Sequence, residues 1–153
     1  MTRLSLAAFE RKLAAMEPKA SEILRLIDEG RYAEAEAVDQ ETRETYGRAV
    51  RAQYGTVGSM HQNLAMALRS QGDFAGAELE GRRHRALLGR SLSSPSFAGY
   101  VDQTIGYDLA RQGRYEDAMQ EYKAAKSVFE RTLGPDDASV VAARAGIADL
   151  LLF

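Results

Sequence analysis

The sequence predicts an all-α chain built as an α-solenoid, a row of antiparallel helix hairpins, and three observations carry that prediction. The pattern Gly-x-aromatic-x-x-Ala stands at Gly30-Arg31-Tyr32-Ala33-Glu34-Ala35, at Gly72-Asp73-Phe74-Ala75-Gly76-Ala77 and at Gly113-Arg114-Tyr115-Glu116-Asp117-Ala118. Its glycines are 42 and 41 residues apart, a recurrence that marks an array rather than a single closed core. The three prolines, Pro18, Pro95 and Pro135, all fit outside helix interiors or in first turns. No run of β-branched and aromatic residues alternates over a strand's length.

The repeated pattern has a mechanical reading. A glycine takes the left-handed backbone conformation without a Cβ penalty and so ends one helix, after which a short turn launches an antiparallel partner. The aromatic (Tyr32, Phe74, Tyr115) fills the gap where two helices diverge. The alanine three residues on (Ala35, Ala77, Ala118) lets them approach closely.

Composition narrows the function. The chain has 153 residues, 27% of them charged, and a formal net charge of −2, which gives no electrostatic case for nucleic acid or an anionic membrane. It contains no cysteine, so it holds neither a thiol nucleophile nor a thiolate metal site, and the expected compartment is a reducing one. The segment from Met1 to Met16 carries Glu10, Arg11 and Lys12 and lacks a long apolar core, so it reads as neither leader nor membrane span. The chain is expected to be cytoplasmic.

Taken in order, residues 1–17 form an N-terminal cap helix, with Leu6, Phe9, Leu13 and Met16 on one face. Residues 18–55 form the first unit: a helix through Ile23, Leu24, Leu26 and Ile27 to Gly30, then a helix from Tyr32 unbroken to about Tyr54. Along it Ala35, Val38, Thr42, Tyr46, Ala49 and Val50 keep helical spacing, and Gly47 costs roughly 1 kcal/mol without ending it. Gly55-Thr56-Val57-Gly58-Ser59 reads as the linker to the second unit, 56–95, in which a helix over 59–71 precedes the Gly72 corner. The third unit, 96–134, follows the loop Ser91-Leu92-Ser93-Ser94-Pro95-Ser96. The half unit 135–153 is a terminal helix with Val141, Ile147, Ala148 and Leu151 as its apolar marks.

At this point the chain resembles tetratricopeptide repeats, in the variant of about 42 residues seen in kinesin light chains and large bacterial regulatory proteins. The residues that carry the resemblance are Asn63-Leu64-Ala65 with Leu68, Gln71-Gly72-Asp73-Phe74 with Ala77, the set from Ile105 to Ala118, and Leu133-Gly134-Pro135-Asp136-Asp137 followed by Ile147-Ala148. The resemblance implies a right-handed superhelical array of about three units, flanked by the N-terminal helix and the C-terminal half repeat. The chain ends on Leu150-Leu151-Leu152-Phe153, where a terminal helix ordinarily has a polar outer face. Two expectations stand for that end, a cut from a longer repeat protein or a face that packs on something else, such as a second copy.

At 100° per residue, Leu64, Ala65 and Leu68 share one side of the helix before Gly72, the core side. Gln62, Met66 and Arg69 fall on another, with Asn63 at its edge. The equivalents in the third unit are Gln103, Thr104, Tyr107 and Arg111, preceded by Tyr100. The resemblance implies that these positions line a concave face and contact a peptide, with the residue at Asn63 bonding the peptide backbone. Thr104 and Gly146 stand where the next two units would repeat that Asn, so a full backbone-clamping ladder is not expected. Tyr and Arg suit such a face by contact area and charge-assisted hydrogen bonding.

Other chemistries find little purchase. His61 and His84 lie in different helices with no His, Cys or carboxylate at ligand spacing, so no metal site is legible. Arg82-Arg83-His84-Arg85 is the one basic run, without interleaved aromatics. Gly55-Thr56-Val57-Gly58 lacks the lysine and preceding strand of a phosphate cradle, and no serine sits on a strand-to-helix elbow. No catalytic or cofactor residues are expected. The sequence therefore reads as a non-enzymatic protein- or peptide-binding domain, of a kind that serves sensing or regulation in a larger bacterial signalling or transcriptional protein. Self-association through the terminal helices and a small-molecule-binding helical domain stand as alternatives.

Overall fold

The computed structural model describes residues 3–152, and all of its regular structure there is helical. In chain order the helices are α1 (Arg3–Met16), α2 (Ala20–Asp28), α3 (Tyr32–Asp39), a single 3₁₀ turn (Arg43–Thr45), α4 (Arg48–Ser70), α5 (Phe74–Leu88), α6 (Phe97–Arg111), α7 (Tyr115–Leu133) and α8 (Ala138–Leu150). Each packs chiefly on its sequence neighbour: α2 on α3, α4 on α5, α5 on α6, α6 on α7 and α7 on α8, while α1 lies against α2 and α4. That sequential packing is an α-solenoid, as the repeated corner predicts.

The three corners are the same object. Gly30, Gly72 and Gly113 have φ of 74°, 80° and 77°. The residue after each glycine donates its N–H to a leucine carbonyl five back: Arg31 to Leu26 at 2.8 Å, Asp73 to Leu68 at 3.0 Å and Arg114 to Leu109 at 3.0 Å. Each glycine N–H closes a second bond three residues back. These paired bonds are a Schellman cap, which satisfies carbonyls a helix end otherwise leaves open. Ala35, Ala77 and Ala118 are all buried where the paired helices meet.

Two expectations for the first unit are overturned. The helix from Tyr32 does not run to Tyr54; it stops at Asp39, and a new helix begins at Arg48. Gly55–Ser59 is not a linker but lies inside α4, so position 55 is no break in the chain's secondary structure. The cause is a buried polar cluster. The Asp39 carboxylate is fully buried and accepts from Arg43 Nε at 2.7 Å and from the Tyr46 hydroxyl, while Arg90 Nε lies 2.9 Å away. In an unbroken helix Tyr46 would sit about 10 Å along the axis from Asp39, out of reach. The chain therefore folds back over 40–47 to bring the hydroxyl home. Within α4, Gly58 is kept bare because a Cβ there would lie 3.1 Å from His84 Cδ2, so the glycine seats a neighbour instead of breaking the helix.

The core runs along the helix pairs in stretches. One cluster joins Leu13, Ile23, Leu26, Ile27, Tyr54, Val57 and Leu87. A second gathers Val101, Ile105 and Leu109 with Ala118 and Tyr122, and a third joins Ala125, Phe129, Val140 and Ala143. In the third unit and beyond, bare glycines take aromatic rings: a Cβ at Gly99 would lie 2.6 Å from Phe129 Cε1, and one at Gly146 2.7 Å from Tyr122 Cε1.

The apolar marks of α8 do not form its buried face. Val140, Ala143 and Leu150 point inward and Ile147 is half-buried, whereas Val141 is 57% and Leu151 72% exposed and Ala148 is exposed. The helical period holds, but the stripe through Val141, Ala145, Ala148 and Leu152 faces solvent because none of the described elements covers it. Met1 and Phe153, named in the sequence reading of the two ends, lie outside the described residues.

Replacing Asp39 by alanine leaves the Arg90 guanidinium buried without its closest carboxylate. Breaking a buried pair in this way is expected to lower unfolding stability by roughly 3 kcal/mol, read by urea denaturation. A loss within a few tenths of a kcal/mol of zero would remove this cluster from the list of elements that hold the first unit.

Candidate functional site

The second half of α4 and all of α6 and α8 lie side by side as the first helices of successive hairpins, and between them runs a groove of about 780 Å³. Gln62 and Arg69 of α4 line it with Phe97, Tyr100, Gln103, Thr104 and Tyr107 of α6. Ala138, Ser139 and Ala142 of α8 close the far wall, and Tyr122 of α7 forms part of the floor. A smaller depression adjoining it adds Met66 and His84. Of the residues singled out from the sequence, Gln62, Met66, Arg69, Tyr100, Gln103, Thr104 and Tyr107 are thus brought together. Asn63 is exposed but outside this lining, and Arg111 lines a separate depression with Tyr107, Tyr115, Asp149 and Leu150.

The groove is apolar in its middle and braced from behind. Phe97, Tyr100 and Tyr107 are 41%, 45% and 43% exposed, a large aromatic area left open to solvent on one helix face. Tyr100 stands edge-on to Phe129, centroids 4.8 Å apart, and its hydroxyl lies 2.9 Å from Ser139 Oγ, so the ring is held from both ends. Tyr107 packs edge-on to Phe74 at 6.1 Å, and the Arg111 guanidinium lies over that same Phe74 ring at 4.9 Å. Arg69 is held in a fork: its Nε and Nη2 each donate at 2.7 Å to the fully buried Asp108 carboxylate. Thr104 spends its hydroxyl on the Val101 carbonyl at 2.9 Å.

Phe97, Tyr122 and Ser139 escaped the sequence reading. Phe97 stands three residues before Tyr100 and so continues the stripe Tyr100, Thr104, Tyr107 one turn back, a signal that was present in the spacing. Tyr122 packs in the core, and the same ring also meets the groove. Nothing in the local sequence marks Ser139.

The basic run does not form a free patch. Arg82 pairs with Glu78 at 2.9 Å, Arg83 with Glu80 at 2.6 Å and Arg85 with Glu121 at 2.7 Å, and His84 is buried. The two histidines are better connected than their sequence spacing indicated. His61 Nδ1 lies 2.5 Å from Glu80 Oε2, and the carboxylates of Glu10 and Asp28 come close to the same ring. Burial raises the Glu80 carboxyl, but hydrogen bonds and charges from His61 and Arg83 together outweigh it and hold the group below the usual range.

With this geometry in hand, the comparison with known families is decisive for one unit. Residues 103–139, from within α6 through the Gly113 corner and α7 to the start of α8, match the tetratricopeptide repeat family model. That stretch is similar to a tetratricopeptide repeat. Tetratricopeptide repeats are scaffolds for protein interaction, and the matched stretch supplies Gln103, Thr104 and Tyr107 to the groove, while its Arg111 lines the separate depression. No curated protein matches the chain. Among the described residues no helix is long and apolar enough to cross a membrane.

Burial of His84 behind the groove makes stability depend on pH. Desolvation first, then the nearby His61, pushes its pKa down to about 4. The unfolded chain takes up this proton near 6.5 and the folded chain only near 4, so stability falls as pH falls through that window. Comparing wild type with His84→Gln by urea unfolding between pH 7 and 5 should show the wild type steeper by up to roughly 1.4 kcal/mol per pH unit. Parallel slopes would mean that His84 charges freely in the folded protein.

Proposed function

We propose that this chain is a non-catalytic binding domain that receives a segment of a partner protein in the groove between α4, α6 and α8, and that it serves as the sensing or regulatory part of a larger bacterial signalling or transcriptional protein. The observation that carries the reading is the row Phe97, Tyr100 and Tyr107: three rings with more than a third of their surface open, each buttressed by another aromatic. Rigid aromatics offer large contact area at small entropic cost, the profile of residues that dominate binding energy. The groove suits an extended segment or an amphipathic helix with apolar anchors. Arg69 and Thr104 support the same reading as polar rim, since both are held by neighbours and need no rearrangement, Arg69 to donate its remaining N–H groups and Thr104 to accept at its hydroxyl oxygen. The regulatory part of the proposal draws on the resemblance of the repeat to those of bacterial regulators.

Selection from a displayed library of short random peptides, followed by titration of the selected sequences, tests this. Tyr100→Ala and Tyr107→Ala are each expected to weaken binding tenfold or more, about 1.4 kcal/mol or above, with helical circular dichroism unchanged. Peptides that bind both variants as tightly as the wild type place recognition elsewhere.

A second reading rests on the uncovered stripe of α8. Val141, Ala145, Ala148 and Leu152 repeat at helical spacing and all face solvent, as a surface does when another helix normally lies on it. A second copy of the chain is the occupant this reading names. Sedimentation velocity over a range of micromolar concentrations is expected to show a dimer that Val141→Glu abolishes, and a strict monomer discards the reading.

A further inference from the structure

At the opposite end of the molecule from the groove's α8 wall, three helices bring ligand-type side chains to one point. Glu10 of α1, Asp28 at the end of α2 and His61 of α4 each offer an atom, and these atoms lie within 4.8 Å of one another. The His61 ring is only 2% exposed, with Nδ1 taken by Glu80 at 2.5 Å. That leaves Nε2 as its free coordinating nitrogen, and among the described residues nothing hydrogen-bonds to it. Glu10, half-buried, has no hydrogen bond or ion pair among the described residues. Asp28 keeps Arg83 Nε 3.5 Å from Oδ1, which leaves Oδ2 open. A depression between α1 and α2, lined by Ala7, Glu10, Ala14, Leu24 and Asp28, connects the cluster to solvent.

We propose that Glu10, Asp28 and His61 bind a divalent transition-metal ion, with Zn²⁺ the best match, and that Glu80 is the positioning residue that sets the His61 ring. Charge argues for it. Arg83 pairs with Asp28 and Glu80 and leaves Glu10 without an ion-pair partner among the described residues, and although Arg11 and Arg25 also line the depression, three carboxylates gathered there favour a dication. The chemistry agrees, because one imidazole and two carboxylates are a three-ligand set suited to zinc with a fourth position open to water. Calcium and magnesium fit less well, as both prefer all-oxygen shells of six or more ligands. A carboxylate on the far nitrogen of a ligating histidine fixes the ring and raises its basicity, which is the part Glu80 plays here. Tetrahedral zinc needs its ligand atoms about 3.3 Å apart. The three ligand atoms, up to 4.8 Å apart, must therefore draw together on binding, and Glu10, which no hydrogen bond restrains among the described residues, is the side chain freest to move. The bound ion then clips the N-terminal helix α1 to α2 and α4 and makes its docking metal-dependent.

The test uses the full chain without a polyhistidine tag, stripped with chelator and titrated with ZnCl₂ by calorimetry, then with Co²⁺ read by visible absorption. The wild type is expected to take up a single ion with the intense absorption of tetrahedral cobalt and to melt at higher temperature with Zn²⁺ present. Glu10→Gln and Asp28→Asn should each weaken uptake by tenfold or more, and Glu80→Gln by ~10–100-fold while keeping the same stoichiometry. None of the three removes buried apolar area, and circular dichroism checks that each stays helical. If one carboxylate variant fails to fold, the other decides. A wild type that takes up no zinc, or carboxylate variants that bind it as tightly as the wild type, overturns the proposal.

Discussion

Each of the three hairpins closes on the same pair of backbone hydrogen bonds, one to the carbonyl of a leucine (Leu26, Leu68, Leu109) and one from a glycine that only a left-handed φ brings into place. The array depends on this local constraint. Because the cap reverses the chain in a fixed way, the aromatic and alanine that follow always meet the preceding helix at the same height, and Ala35, Ala77 and Ala118 end up buried in equivalent positions. Stacking such units places α4, α6 and α8 in a row, and the groove is the space that row encloses. The fourth glycine corner, Gly134, differs: its φ of 96° and ψ of 157° extend the chain into Pro135 and the Asp137 cap of α8.

What the sequence disclosed follows from how far the cause of each feature lies along the chain. The corners were legible because φ at a glycine is a local matter, and the groove face of α4 and α6 was legible because a helix carries its own angular ruler. The interruption between α3 and α4 was not. Its cause is Asp39 meeting Arg90, far along the chain, and the intervening residues keep helical spacing to the eye. The outward face of α8 misled for a related reason: periodicity reports which residues share a face, whereas burial depends on whether a neighbour arrives. The glycines Gly58, Gly99 and Gly146 inside α4, α6 and α8 are seats for His84, Phe129 and Tyr122, partners that local sequence does not reveal. The gathering of Glu10, Asp28 and His61 was hidden because its members come from three helices.

Much of the charge is spent internally. The basic run Arg82–Arg85 is consumed by Glu78 and Glu80 within α5 and by Asp102 of α6 and Glu121 of α7. Partly buried ion pairs add modest net stability, since desolvation offsets most of the Coulomb gain. Their effect is to penalise misregister, because a hairpin sliding by one turn would strand several charges at once. Arg69 and Asp108 do the same between α4 and α6, directly beneath the groove.

The seat of Tyr122 on Gly146 links recognition to architecture. One face of that ring rests on naked backbone of α8 while its edge forms floor for whatever enters between α6 and α8. A visitor that pressed the ring downward would meet main chain with no side chain to swing aside, so the strain would pass to the spacing of the last two helices. Occupancy of the cleft and the pitch of the terminal hairpin are in this way mechanically geared, and anything resting on the outer side of α8 would feel the load.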